Sequence, residues 1–204
     1  IAPDRDRVFA DLVNEMQDGL ICPVFFGSGE HGNGVTRLLK ALRHEVPSVD
    51  RLKNRLLNNQ SGSALQGIKN LQTQQGGKLS IARILEGQAA DGDSLFLKGG
   101  AEAKISGLFS LFGQHVNKIA TAGKGELVGL GRLDDVSTGD VLSLEGGELA
   151  SLDQLEVRQP VLATAIAAGQ RKDEVRLSAA LAKLVEEDAS LTVEQNQTTG
   201  ETLL

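Results

Sequence analysis

The pattern with most chemical content is Gly27-Ser28-Gly29-Glu30-His31-Gly32, a G-x-G-x-x-G run. It follows a short apolar stretch, residues 20–26, and precedes an amphipathic one, residues 35–45. Two chemistries fit that placement. In a dinucleotide fingerprint, the glycines let the backbone approach a pyrophosphate held on a helix N-terminus. That site also needs a second parallel strand ending in an acidic residue about 20 positions further on. Asp50 stands near that distance, but Val46-Pro47-Ser48 before it is no strand sequence. In the second chemistry, Ser28 and its small neighbours offer backbone N–H groups to a purine base. A flexible strand-to-helix turn without a ligand is the remaining possibility.

Other reactive side chains are sparse. Gly77-Lys78 and Gly123-Lys124 are followed by Leu79 and Gly125, not by the Ser or Thr of a phosphate-binding loop. Nothing in the chain is therefore expected to cradle triphosphate or hold its magnesium ion. His31, His44 and His115 are scattered and there is a single cysteine, so no metal-ligand spacing occurs. All three histidines read as surface residues. Cys22, next to Pro23 in an apolar run, reads as a packed core thiol and not a nucleophile. Glu186-Glu187-Asp188 could pass for paired catalytic carboxylates. A solvated helix end is the simpler reading, although acids at a helix C-terminus oppose the helix dipole and suggest an interaction role. No catalytic residue and no metal ligand is assigned.

The elements that must position these residues fall into three stretches. Residues 4–18 place Val8, Phe9, Leu12, Val13 and Met16 on one helical stripe, with Gly19 to end it. Residues 20–26 read as a buried parallel strand and 35–45 as a helix stopped by Pro47. The polar stretch 49–63 reads as an interdomain linker. From residue 64 to 152 the period changes. Short apolar or alternating runs at 64–72, 79–85, 94–98, 105–112, 116–120, 127–130 and 141–144 are separated by Gly- and Asp-rich turns. That spacing predicts a β-barrel or sandwich. After residue 158 a strand at 160–168, a helix at 172–187, a strand at 191–195 and a turn into a last strand predict the start of an α+β sandwich. The expected core side of that helix is Val175, Leu177, Leu181, Leu184 and Val185.

Composition narrows the function. The chain has 204 residues, enough for one or two compact domains, and a net charge of −6. A protein held on nucleic acid by its own charge is usually basic, so DNA is not an expected partner and any RNA contact must be local. Aromatics are Phe only, six of them, which leaves no stacking platform for single strands. No apolar run is long enough to cross a membrane. The N-terminus lacks both the pattern of a signal peptide and an initiator Met. An excised internal piece of a cytoplasmic protein is the expectation.

The order of segments resembles one family. Cys22-Pro-Val-Phe-Phe-Gly-Ser28, Gly34-Val35, Leu38-Leu39 and Pro47-Ser48 are similar to the last strand and helix of the GTPase domain of elongation factor G, including its guanine-recognition loop. Gly77-Lys-Leu-Ser80, Arg83-Ile-Leu85, Gly87 and Gly92-Asp93 resemble the opening of the family's second-domain barrel. Ala120, Ala122-Gly123, Gly129-Leu130 and Thr138-Gly-Asp140 resemble its closing strands. Pro160-Val161, Asp173, Leu177, Ala180-Leu181, Glu186-Glu-Asp188 and Thr199-Gly-Glu-Thr202 resemble the third domain. The chain departs from the family pattern at Gly29, where Ala is usual, and at Ala189, where Pro is usual. These departures suggest a diverged paralogue.

The resemblance implies a multidomain α/β + β fold. Residues 1–48 would be the C-terminal end of a P-loop GTPase α/β domain and 49–63 a linker. Residues 64–152 would form a translation-factor β-barrel, and 158–204 the first part of a ferredoxin-like α+β domain. Ser28 and Gly29 would contact the guanine base by their backbone. The longer parent would bind GTP with magnesium and hydrolyse it on the ribosome, meeting rRNA and ribosomal proteins. A ribosomal-protection or release-factor GTPase and a non-enzymatic ribosome-binding scaffold are the alternatives that share these modules.

Overall fold

The computed structural model describes residues 4–57, 62–73, 77–97, 100–113, 115–133, 135–146 and 160–204. Residues 58–61 of the expected linker, 147–152 of the expected barrel and 158–159 of the third segment lie outside the described residues. So do Gly76, Lys98 and Gly99, at the edges of expected strands and turns. The chain divides into two compact units, Ile1–Leu52 and Lys53–Leu204.

The first unit is built on two helices, α1 (Arg5–Gln17) and α2 (Val35–His44). Asp4 caps α1, its carboxylate accepting from the Asp6 amide at 3.2 Å. Gly19, at φ +77°, ends the helix in the left-handed region, and its N–H and that of Leu20 donate to the last carbonyls. The two helices meet at Glu45. Its carbonyl accepts from Gln17 Nε2 at 2.9 Å, and its buried carboxylate pairs with Arg37 at 2.8 Å. The Arg37 guanidinium also lies 5.7 Å from the Phe25 ring centroid.

Residues 20–26 are not a buried strand. They have no strand neighbour among the described residues, and Leu20, Val24 and Phe26 are 75%, 74% and 90% exposed. An extended run becomes a strand only when neighbours take its backbone hydrogen bonds. Cys22, expected in a packed core, is exposed for the same reason. The stripe of α1 also holds no fully buried residue: Val8, Phe9 and Leu12 are exposed and Val13 and Met16 half-buried. The expected linker 49–63 begins as a nine-residue helix, α3 (Val49–Leu57). Its last residue, Leu57, is buried with Ala64 and Val141.

The second unit holds a curled antiparallel sheet. The strands are β1 (Ala64–Gln72), β2 (Lys78–Glu86), β3 (Gln88–Ala90), β4 (Ser94–Phe96), β5 (Glu102–Lys104), β6 (Leu108–Phe112), β7 (His115–Ile119), β8 (Thr121–Gly123), β9 (Leu127–Gly131) and β10 (Val141–Ser143). Eight of them run in the order β5-β4-β10-β1-β2-β9-β6-β7, and β3 pairs with β8. Residues 105–107 bring the two ends together. The Ile105 amide donates to Asp93 O at 2.9 Å, and the Gly131 amide to Gly107 O at 2.9 Å. Leu95 of β4 and Leu108 of β6 are thereby in one core with Leu65, Ile84, Val128, Leu130 and Leu142, all essentially inaccessible. This is the barrel that the strand spacing predicts. The three-residue strands β3, β5 and β8 were not anticipated.

The last segment forms a small sheet in the order β11-β13-β12, from β11 (Ala165–Ile166), β12 (Glu194–Gln195) and β13 (Thr202–Leu203). A single 3-10 turn, Arg171–Asp173, leads into helix α4 (Glu174–Glu187). The sheet matches the predicted strand, helix, strand, turn, strand order, with shorter strands than expected. Only Leu181 of the expected core side is buried, and Val175 is 80% exposed.

Candidate functional site

The glycine-rich loop closes on itself. Ser28 and Asn33 form an isolated antiparallel bridge, in which the Ser28 amide donates to Asn33 O at 2.9 Å. The Ser28 hydroxyl accepts from the His31 amide at 3.4 Å. Two glycines make the closure possible. A Cβ on Gly27 would stand 2.7 Å from Asn33 O, and one on Gly34 would collide with Phe26 O. Gly34 also has φ +78° and is the N-cap of α2. The turn is thus closed by one backbone hydrogen bond between Ser28 and Asn33.

Its middle is open. A Cβ on Gly29 would meet nothing within 4 Å. Ser28 thus belongs to the base of the turn, its amide taken by Asn33 O, and Gly29 follows it on the exposed side. The dinucleotide chemistry fares worse. The strands that would flank its pyrophosphate are absent among the described residues, and Asp50 lies within α3 instead of ending a strand.

The remaining candidates stay apart. His31, His44 and His115 are all exposed. Among the described residues no group of three or more His, Cys, Asp or Glu side chains could hold a metal ion. No described helix is long and apolar enough to cross a membrane.

Two carboxylates on the barrel are strongly held. Glu86 Oε2 meets Lys124 Nζ at 2.7 Å and Lys53 Nζ at 2.8 Å. Hydrogen bonds, first from Lys124 and then from Lys53, pull its carboxyl down from 4.5 to about 2. Asp91 pairs with Lys118 at 2.7 Å, and that hydrogen bond lowers its pKa too. Lys53, Lys118 and Lys124 are therefore partnered cations, not a free phosphate-binding patch.

Glu186-Glu187-Asp188 is not simply a solvated helix end. Glu187 accepts from the backbone amide of Gln72 in β1, and Glu186 Oε2 accepts from Gln72 Nε2 at 3.1 Å. Asp188 accepts from the Ser190 hydroxyl at 2.6 Å and from the Ser190 amide at 2.9 Å, which lowers its pKa. Sequence alone signals this contact only through the unfavourable charge at the helix terminus.

Comparison with known proteins agrees with this architecture. Residues 157–204 match the family model for elongation factor G, domain III. An elongation factor G-like protein of Synechocystis sp. is 41% identical over 207 residues, covering 100% of this chain and 30% of that protein. An elongation factor G 2 of Syntrophus aciditrophicus is 27% identical, covering 96% of this chain and 31% of its own length. A crystal structure of a Thermus thermophilus protein superposes with a TM-score of 0.76 at 26% identity, covering 98% of this chain and 30% of that one. The chain thus spans about 30% of the length of the relatives it matches. Its curled sheet and the α+β segment after it are the translation-factor arrangement, and along its whole length the chain is elongation factor G-like, with domain III of that family at residues 157–204.

Proposed function

We propose that this chain works within an elongation factor G-like translation factor that binds guanine nucleotide, docks on the ribosome and hydrolyses GTP there. The carrying observation is the unbroken likeness to elongation factor G-like proteins from the glycine loop through the barrel to domain III. In this reading residues 1–48 end the nucleotide-binding domain and 49–63 connect it to the barrel. Residues 64–152 are the barrel that meets the ribosome, with rRNA and ribosomal proteins as partners, and 158–204 begin the third domain. The setting is the cytoplasm, where translation takes place.

The role of this chain in nucleotide binding is confined to the base. Ser28 and Gly29 form the guanine-facing turn; the open position at Gly29 supports that role, while the Ser28 amide is held by Asn33 O and braces the turn. Guanine differs from adenine in its O6 acceptor, so backbone N–H groups aimed at that edge favour guanine. The phosphates and magnesium depend on motifs this sequence does not contain, as Leu79 and Gly125 after its two Gly-Lys pairs indicate. Bound GTP supplies the cleavable phosphoanhydride. Ser28 and Gly29 only select and orient the nucleotide.

The test uses the full-length protein and a fluorescent guanine nucleotide. GDP is expected to displace the probe and ADP is not. Gly29→Val places a branched side chain over the open backbone and is expected to weaken guanine binding by about tenfold, with an unchanged circular dichroism spectrum. Equal competition by ADP, or full affinity in Gly29→Val, would overturn the assignment.

A further inference from the structure

The outer side of β1 is unevenly covered. β2 pairs with it as far as Gln72, but β10 on the other side pairs only at Ala64, Leu65 and Gln66. Beyond these, the Gly67 amide donates to Asp140 O at 2.8 Å, and Asn70 Nδ2 to Val136 O at 2.9 Å. The far end of the strand is then met by α4. Glu187 takes the Gln72 amide and Glu186 takes its side chain. Asp188 accepts from Ser190, so two consecutive acids, Glu186 and Glu187, meet the last residue of the strand.

That arrangement answers two physical problems together. Acids in the last turn of a helix oppose its dipole, so they need partners elsewhere. An open strand edge leaves backbone donors that need acceptors. The sequence separation of Glu187 and Gln72 is 115 residues, so the contact joins two modules and is not local.

We propose that Glu186 and Glu187 form a latch that grips the open end of β1 and fixes the small α4-and-sheet module against the barrel. Breaking it frees the module to reorient while both modules stay folded. The latch gives the two modules a joint that can be opened at one point, because Gln72, Glu186 and Glu187 are polar groups outside the barrel core.

The experiment measures the 204-residue chain by NMR, with amide exchange and residual dipolar couplings. In Glu187→Ala the Gln72 amide is expected to exchange about tenfold or more faster, the loss expected for a hydrogen bond to a charged acceptor. Ile81 and Ala82 in the β2–β9 ladder are expected to be unchanged. Glu187→Gln keeps a carboxamide oxygen as acceptor and is expected to retain most of the protection. In the native chain, couplings from the barrel and from residues 165–204 should fit one alignment tensor. In the Glu186→Ala/Glu187→Ala double variant they should need two. Glu186→Ala alone, at an exposed position, should give an intermediate result. The proposal is overturned if Gln72 exchanges equally in native and Glu187→Ala chains. It is also overturned if Ile81 and Ala82 accelerate with it, or if one tensor still fits the double variant.

Discussion

Replacing Gly34 by Ala puts a methyl group where the turn has no room. The residue sits at φ +78°, and the added Cβ would press on Phe26 O and stand 3.0 Å from Gly27 Cα. The left-handed conformation alone costs a non-glycine residue about 1–2 kcal/mol. A clash with backbone cannot be relieved by a rotamer change, so the total should exceed about 2 kcal/mol. The loop should open at the Ser28–Asn33 bridge, and α2 should lose its first turn. Gly29→Ala is the control. Its Cβ meets nothing within 4 Å, and the expected change is within about 0.5 kcal/mol. Amide exchange at Ser28 and across Val35–His44 reads both variants. Exchange should rise about thirtyfold in Gly34→Ala, the factor that about 2 kcal/mol implies, and barely change in Gly29→Ala. Equal effects from the two substitutions would refute the reasoning, because the turn would then have no special need at Gly34.

Two further outcomes follow from the barrel. The folded pKa of Glu86 lies below its ordinary value, so its ion pairs contribute stability above about pH 4.5 that is lost as pH falls toward about 2. An NMR titration of its carboxyl should show the low midpoint, and Glu86→Gln should make acid unfolding between those limits shallower. Leu130→Ala in the core should cost about 3 kcal/mol in urea unfolding. Phe112→Ala, at 84% exposure, should stay within about 0.5 kcal/mol.

What the sequence makes legible depends on how local the determinant is. Asp4 and Gly19 mark the ends of α1 by capping chemistry written within a few residues, and the helix lies where they place it. β1 covers the full apolar run 64–72 because its alternation is long enough to count. β3, β5 and β8 have three residues each, and their pairing comes from partners elsewhere in the chain. Gly123, read as part of a turn, belongs to β8. Residues 20–26 show the converse. Apolar character signals a preference for burial, but burial requires a neighbour, and the described chain provides none for Leu20, Val24 or Phe26. At the candidate site, the Gly27–Gly34 loop was legible as a turn beside a helix. Which of its glycines are obligatory was not, since Gly34 lies outside the G-x-G-x-x-G pattern. The charge of Glu186-Glu187-Asp188 at a helix end signals an interaction, but its partner is not legible because Gln72 carries no motif.

The most direct test of the account is GTP hydrolysis by the full-length protein with and without ribosomes. Strong stimulation by ribosomes is the predicted result and would establish a translational GTPase. Absence of hydrolysis in both conditions would contradict it and show that the elongation factor G-like architecture serves binding alone.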